Sequence, residues 1–209
     1  MKIKLIVFDV NGTLFDDTDI FWKAINGIFE HFDRLLLPLN ILRKRFGQPW
    51  TRIYREEGIS EDFATDEELY KIYNELYKNQ PQPKPFPDVE STLHWLNKRG
   101  IKIAIVSTQQ NEITIPLLKK YGLGKLFFKV SGSVSDKAAA LKEILKSANI
   151  LSQSAAYVGD QEDDIRNAKK AKCVSIAFNG GLHSRNRLEA LNPDFMIDKA
   201  SDLKTLLLY

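Results

Sequence analysis

From Asp88 to its end the sequence alternates between short apolar runs and amphipathic segments, and this alternation restricts the fold more than any other feature of the chain. A helical segment at 89–99 ends at Gly100, a residue suited to closing a helix in the left-handed region. Residues 101–106 (IKIAIV) read as a strand, 113–121 as a helix ending at Gly122, and 127–131 (FFKVS) as a strand. A helix over 137–148, a strand at 155–158, a helix, a strand at 174–177, a weaker strand near 195–197 and a short final helix follow. Strand and helix in strict succession imply right-handed crossovers. The pattern predicts an α/β fold: a doubly wound, mostly parallel, Rossmann-like sheet with helices on both faces.

The amino-terminal run 3–8 (IKLIVF) has the texture of one more buried parallel strand and breaks off in Asp9-Val10-Asn11-Gly12-Thr13. Taken alone, Asp9 has two readings: a carboxylate at the ligand-binding edge of an open sheet, or a residue capping a turn. What comes next does not alternate. Ile20, Phe21, Ala24, Ile25, Ile28, Phe29 and Phe32 form a wide helical stripe. Helical patterning then continues to Tyr77, interrupted at Pro38, at Gly47-Gln48-Pro49 and at Gly58. Proline at positions 81, 83, 85 and 87 permits neither helix nor central strand and reads as a stiff extended connector. The expected organisation is an α/β domain of residues 1–15 and 84–209, interrupted by a helical domain of residues 16–83.

The formal charge of +3 comes from scattered Lys and Arg rather than a block, so a nucleic-acid partner has little support and none is expected. The longest apolar stretches are too short or too interrupted to cross a membrane. A lone cysteine, Cys173, in the setting KCVSIAF reads as a buried structural thiol. The chain has no leader-like segment, and a soluble cytoplasmic protein is the expectation.

Four polar elements follow strands, and a parallel sheet brings such loops to one edge. Asp9 follows the first strand, Ser107 follows IAIV, and Lys137 opens the helix after FFKVS. Gly159-Asp160-Gln161-Glu162-Asp163-Asp164 follows AAYV. Asp9 and Asp160 offer the hard oxygen ligands that Mg²⁺ takes, and Asp164 lies one helical turn beyond Asp160. A divalent ion, a lysine, a hydroxyl and the Gly12 amide describe phosphoryl transfer, with Asp9 as carboxylate nucleophile. Thr108 and Gln109 are candidate backbone donors to phosphate. Gly180-Gly181 is either a loop that approaches the ligand or a simple turn. His183, Arg185 and Arg187 read as surface residues, whereas Arg52 and Arg55 are candidates to meet a second anionic group.

On these residues the chain resembles the haloacid dehalogenase-like phosphohydrolases, in particular the subgroup with an inserted helical cap that includes phosphoglycolate phosphatases. The family motif Asp-x-Asp-Gly-Thr matches Asp9 to Thr13 with one departure. The Ser/Thr motif falls on Ser107, the lysine on Lys137 (Ala138 stands where a proline often follows), and Gly-Asp-x-x-x-Asp on Gly159, Asp160 and Asp164. The resemblance implies a Mg²⁺-dependent phosphatase acting on a small phosphorylated metabolite. Catalysis would fall to Asp9, residue 11, Ser107 and Lys137. Metal binding would fall to Asp9, the residue 11 backbone, Asp160 and Asp164. Gly12, Thr13, Ser107, Thr108 and Lys137 would hold the substrate.

The departure is Asn11, where the family carries the aspartate that protonates the leaving group and then activates water. An amide cannot shuttle a proton, and general acid–base catalysis is worth roughly 10²- to 10⁴-fold. Three readings stay open: a phosphatase that works despite Asn11, a binding protein with slow turnover, and an Asn11-Gly12 pair that deamidates to a carboxylate. Dehalogenation is disfavoured, because it has no use for Asp160 and Asp164 as metal ligands.

Overall fold

A computed structural model describes residues 2–208. In chain order the elements are β1 (Leu5–Phe8), β2 (Phe15–Asp16), α1 (Thr18–His31), α2 (Leu39–Arg45), α3 (Arg52–Glu56), α4 (Asp66–Lys78), β3 (Lys84–Pro85) and α5 (Val89–Lys98). Then come β4 (Lys102–Val106), α6 (Asn111–Lys120), β5 (Lys129–Ser131), α7 (Lys137–Ala148), β6 (Ala155–Gly159), α8 (Glu162–Lys170), β7 (Val174–Phe178), α9 (Arg185–Glu189), β8 (Phe195–Ile197) and α10 (Asp202–Leu206). They form two compact units, Met1–Asp16 with Lys84–Tyr209, and Asp17–Pro83.

The first unit is built on a six-stranded sheet of order β5-β4-β1-β6-β7-β8, parallel at every pairing. Successive side chains of a strand point to opposite faces, and the sequence uses both. Ile6 and Phe8 pack with Ile103, Ile105, Val158 and Ile176 against Leu93 and Leu96 of α5, Leu117 and Leu118 of α6, and Leu203 of α10. Leu5 and Val7 pack with Ala104, Val106 and Tyr157 against Leu141 and Ile144 of α7 and Ala168 of α8. Helices therefore cover both faces, which is why the central strands carry unbroken apolar runs. Each buried Leu, Ile or Phe contributes roughly 1.5–3 kcal/mol.

Chain order reverses beside β1: the path leads from β1 to β4 and β5, then returns to β6 on the other side. Loops leaving β1 and β6 diverge at such a point and leave a crevice at the carboxyl ends of the strands. One feature was not visible in the residue pattern. Phe15–Asp16 pairs antiparallel with Lys84–Pro85 as a two-residue ribbon, so part of the proline connector is held in extended pairing. Cys173 is buried just before β7, and burial pushes its thiol up to about 11.

In the unit Asp17–Pro83, α1 buries Ala24, Ile25, Ile28 and Phe29. Gly27 admits the close approach of Leu76 on α4. Thr65 and Glu68 form a capping box that starts α4. Asn26 binds both backbone groups of Leu37, and the Trp22 indole donates to the Leu37 carbonyl, fixing the chain between α1 and α2. Arg52 and Arg55, the candidates to meet a second anionic group, also bond within this unit. Arg52 donates to the Arg45 carbonyl and pairs with Glu56. Arg55 donates to the carbonyls of Ile59 and Ala64 and pairs with Glu61 and Asp66.

Candidate active site

β1 delivers Asp9 to the crevice, and the Asp9 amide donates to the Val158 carbonyl at 2.9 Å, holding the end of β1 against β6. The chain then turns back on itself: the amides of Thr13, Leu14 and Phe15 converge on the Val10 carbonyl, and the Gly12 amide donates to the Phe15 carbonyl. This corrects one expectation. The Gly12 amide closes the turn rather than facing an anion, and what glycine supplies there is space. Its φ is +70°, and a Cβ would fall on the Asp160 carboxylate. Asn11 is half-buried and its backbone bridges to Phe15.

Lys137 is the first residue of α7, whose amino end is capped by the Asp136 side chain accepting from the Ala139 amide. Its Nζ donates to Asp9 Oδ1 at 3.0 Å and to Asp164 Oδ1 at 2.7 Å, all three side chains being buried. Asp164 is saturated further: Oδ1 accepts from the Tyr157 hydroxyl and Oδ2 from the Gln161 amide. The Asp160 carboxylate accepts from Thr13 Oγ1 at 3.0 Å on one oxygen and from the Leu182 amide at 2.7 Å on the other. Oxygens of Asp9, Asp160 and Asp164 lie within 4.8 Å of one another.

Burial lifts the Asp9 carboxyl above its ordinary range; the Lys137 ammonium opposes that shift and Asp164 adds to it. Burial works against the Lys137 charge, but Asp164 and Asp9 outweigh it and hold the ammonium well above the usual lysine range. Burial also raises the Tyr157 phenol, so it remains a donor.

Asp9, Lys137 and Asp164 thus share one set of hydrogen bonds, Thr13 and Asp160 another, and the three carboxylates lie together. Ser107 is buried just beyond the end of β4, close enough to Asp9 to pull its carboxyl back down; its Oγ accepts from the Gln109 amide. Thr108 is exposed beside it. Of the residues read as surface, Arg185 is exposed and pairs with Glu189 and Asp198. His183 is not: it is 3% exposed, and its Nδ1 accepts from the Glu162 amide at 3.1 Å. Arg187 is half-buried and grips both carboxylate oxygens of Glu162. The doubled glycine at 180–181 was the available signal, because a Cβ at Gly181 would meet the Asp160 side chain and the Gly12 carbonyl.

A family model described as haloacid dehalogenase-like hydrolase matches residues 6–178. The chain belongs to this family. A phosphoglycolate phosphatase of Pseudomonas savastanoi pv. phaseolicola is 26% identical over 218 residues, covering 98% of this chain and 78% of that protein. A phosphoglycolate phosphatase of Vibrio parahaemolyticus is 25% identical, with 96% and 94% covered. Among solved structures, a haloacid dehalogenase-like family hydrolase from Streptococcus pneumoniae superposes with a TM-score of 0.85 at 21% identity, covering 98% of each chain. A protein from Clostridium acetobutylicum described as a predicted phosphatase gives 0.84 at 22%, covering 100% of this chain and 99% of that one. At such identities these structures speak for the fold. Among the described residues of this family member, no helix is long and apolar enough to cross a membrane.

Proposed function

We propose that this chain is a Mg²⁺-dependent phosphatase of a small phosphorylated metabolite, working through an aspartyl-phosphate on Asp9. The observation that carries the reading is the balance of buried charge: three buried carboxylates face one buried ammonium. An uncompensated buried charge costs several kcal/mol, and one divalent cation at Asp9, Asp160 and Asp164 would offset the excess. The donor set is all hard oxygen, as Mg²⁺ requires, and the Asn11 carbonyl is a further candidate ligand. The ion, when bound, would neutralise phosphate oxygens and oppose the charge that develops during transfer. Phosphoglycolate phosphatases among the relatives support a small phosphorylated substrate, and the helical unit is the candidate cap that selects it.

Lys137 engages Asp9 Oδ1, which leaves Oδ2 as the oxygen to attack phosphorus. The bond from Oδ2 to phosphorus forms as the bond to the leaving oxygen breaks. That oxygen departs unprotonated or takes its proton from solvent, because the Asn11 amide has none to give. Water then attacks phosphorus and passes its proton to solvent or to a phosphoryl oxygen, the bond from phosphorus to Asp9 Oδ2 breaks, the carboxylate returns and phosphate leaves. Ser107 and Thr108 are the candidate groups to hold the phosphoryl oxygens.

Asn11 also favours a second reading, a family member that binds a phosphorylated ligand with little turnover. Hydrolysis of an aryl phosphate with Mg²⁺, beside Asp9→Ala, separates the two. The phosphatase reading expects activity that falls by at least about 10³-fold in the variant. The binding reading expects saturable ligand binding and negligible turnover in both proteins. Hydrolysis unchanged in Asp9→Ala would remove Asp9 as nucleophile.

A further inference from the structure

We propose that His183 is a positioning residue that sets the orientation of Asp160, with Glu162 and Arg187 completing the same latch; this rests on the reading of the carboxylate cluster as a divalent-ion site. The donors to Asp160 include Thr13 Oγ1 on Oδ1 and the Leu182 amide on Oδ2. Together these fix the plane of the carboxylate and the lone pairs left for a cation. The Leu182 amide is only as well placed as the chain that carries it, and residues 180–183 are turns and bends outside the named strands.

The next residue ties that segment down from the opposite direction. Leu182 donates across the gap to Asp160, and Glu162 donates back to His183 Nδ1. Two bonds of opposite sense, between 182–183 on one side and 160–162 on the other, make a two-point clamp. The Glu162 amide is the first in α8, a donor that its own helix cannot satisfy. An aliphatic side chain would fill the buried place of His183 but could not accept that bond. The bond uses the Nδ1 lone pair, so that nitrogen carries no proton while the bond is made.

The outer half of the latch is electrostatic. Arg187 donates from Nε at 3.1 Å and from Nη2 at 2.8 Å to the two oxygens of Glu162, securing α9 to the start of α8. Gly181 leaves the segment no slack, since a Cβ there would meet Asp160 and the Gly12 carbonyl.

The test is a calorimetric titration of Mg²⁺ alone into the substrate-free protein, for the native chain and for His183→Leu, His183→Asn, Arg187→Met and Asp160→Asn. His183→Leu should weaken Mg²⁺ binding roughly tenfold, the lower end of what supporting residues of a metal site contribute, and His183→Asn, which restores an acceptor, should return to within about twofold. Arg187→Met should shift affinity the same way by less. With an aryl phosphate, the half-saturating Mg²⁺ concentration should rise in His183→Leu while kcat at saturating Mg²⁺ stays close to native. Native affinity in both His183→Leu and Arg187→Met, with the ion lost in Asp160→Asn, overturns the latch and leaves the metal site standing. Retention of the ion by Asp160→Asn overturns the reading beneath it. Should His183→Leu not fold, Arg187→Met decides, and native affinity in that variant overturns the proposal.

Discussion

In the α/β unit the residues Asp9, Lys137, Asp160 and Asp164 are all buried, none more than 7% exposed, and every one bonds to residues distant in sequence. In the unit Asp17–Pro83, the salt-bridged residues Arg45, Arg52 and Arg55 are at least partly exposed and pair with Glu56, Glu57, Glu61 and Asp66 close by in the chain. Asp17 is the buried acid there, and it accepts from the Tyr77 hydroxyl. The other buried polar side chains there, Thr18, Asn26 and Thr51, are uncharged, and around them lie aromatic contacts: Phe29 against Tyr54, Tyr54 against Trp50, and Phe21 against Phe46. Buried charge is costly and persists where it has a use. The difference supports placing the proposed chemistry in the α/β unit.

The contrast breaks first at position 11. Asn11→Asp should raise hydrolysis of an alkyl phosphate by roughly 10²- to 10⁴-fold, and that of an aryl phosphate by much less, because a phenolate departs without a proton. Equal gains on both substrates, measured as kcat/KM, would mean that proton transfer is not what this site lacks. In the helical unit the largest effect should be on stability. Phe29→Ala should cost about 3–5 kcal/mol by denaturant unfolding, the usual range for emptying an aromatic core site.

Two smaller changes sharpen the comparison. Gly181→Ala forces a methyl group onto Asp160, and Mg²⁺ affinity should fall roughly 10- to 100-fold as the carboxylate is displaced. The helical content of the Asp17–Pro83 unit, read by circular dichroism, should not change. Thr65→Ala removes the capping box of α4 and should lower stability by about 1 kcal/mol while leaving Mg²⁺ affinity untouched. A loss of ion binding in Thr65→Ala would show that the two units share more than the comparison allows.

Most of the fold was legible because a strand buried on both faces must be apolar throughout, and the sequence marks where it stops being so. Ser107, Asp160 and Lys137 stand out for that reason: each is polar immediately beyond an apolar run or at the first turn of a helix. His183 and Arg187 were not legible. A polar loop residue looks solvated in sequence whether it faces water or a helix end, and the difference rests on one bond to a main-chain amide at residue 162. The use of Arg52 and Arg55 was hidden likewise, since helical periodicity gives the face of a side chain and not its partner.

By itself the sequence determined the alternating architecture, the interruption by a helical segment and the four polar strand ends, since periodicity and breakers act locally. Asn11 is equally a fact of sequence, and it alone states that the amide has no proton to transfer. Tertiary structure decided the rest. It closed the Gly12 amide into a turn, gave Asp160 a donor on each oxygen, pinned Lys137 between two carboxylates and buried His183 behind the segment that holds Asp160. These outcomes depend on which lone pair meets which donor across more than a hundred residues of chain, a matter of ångströms that spacing along a sequence does not encode.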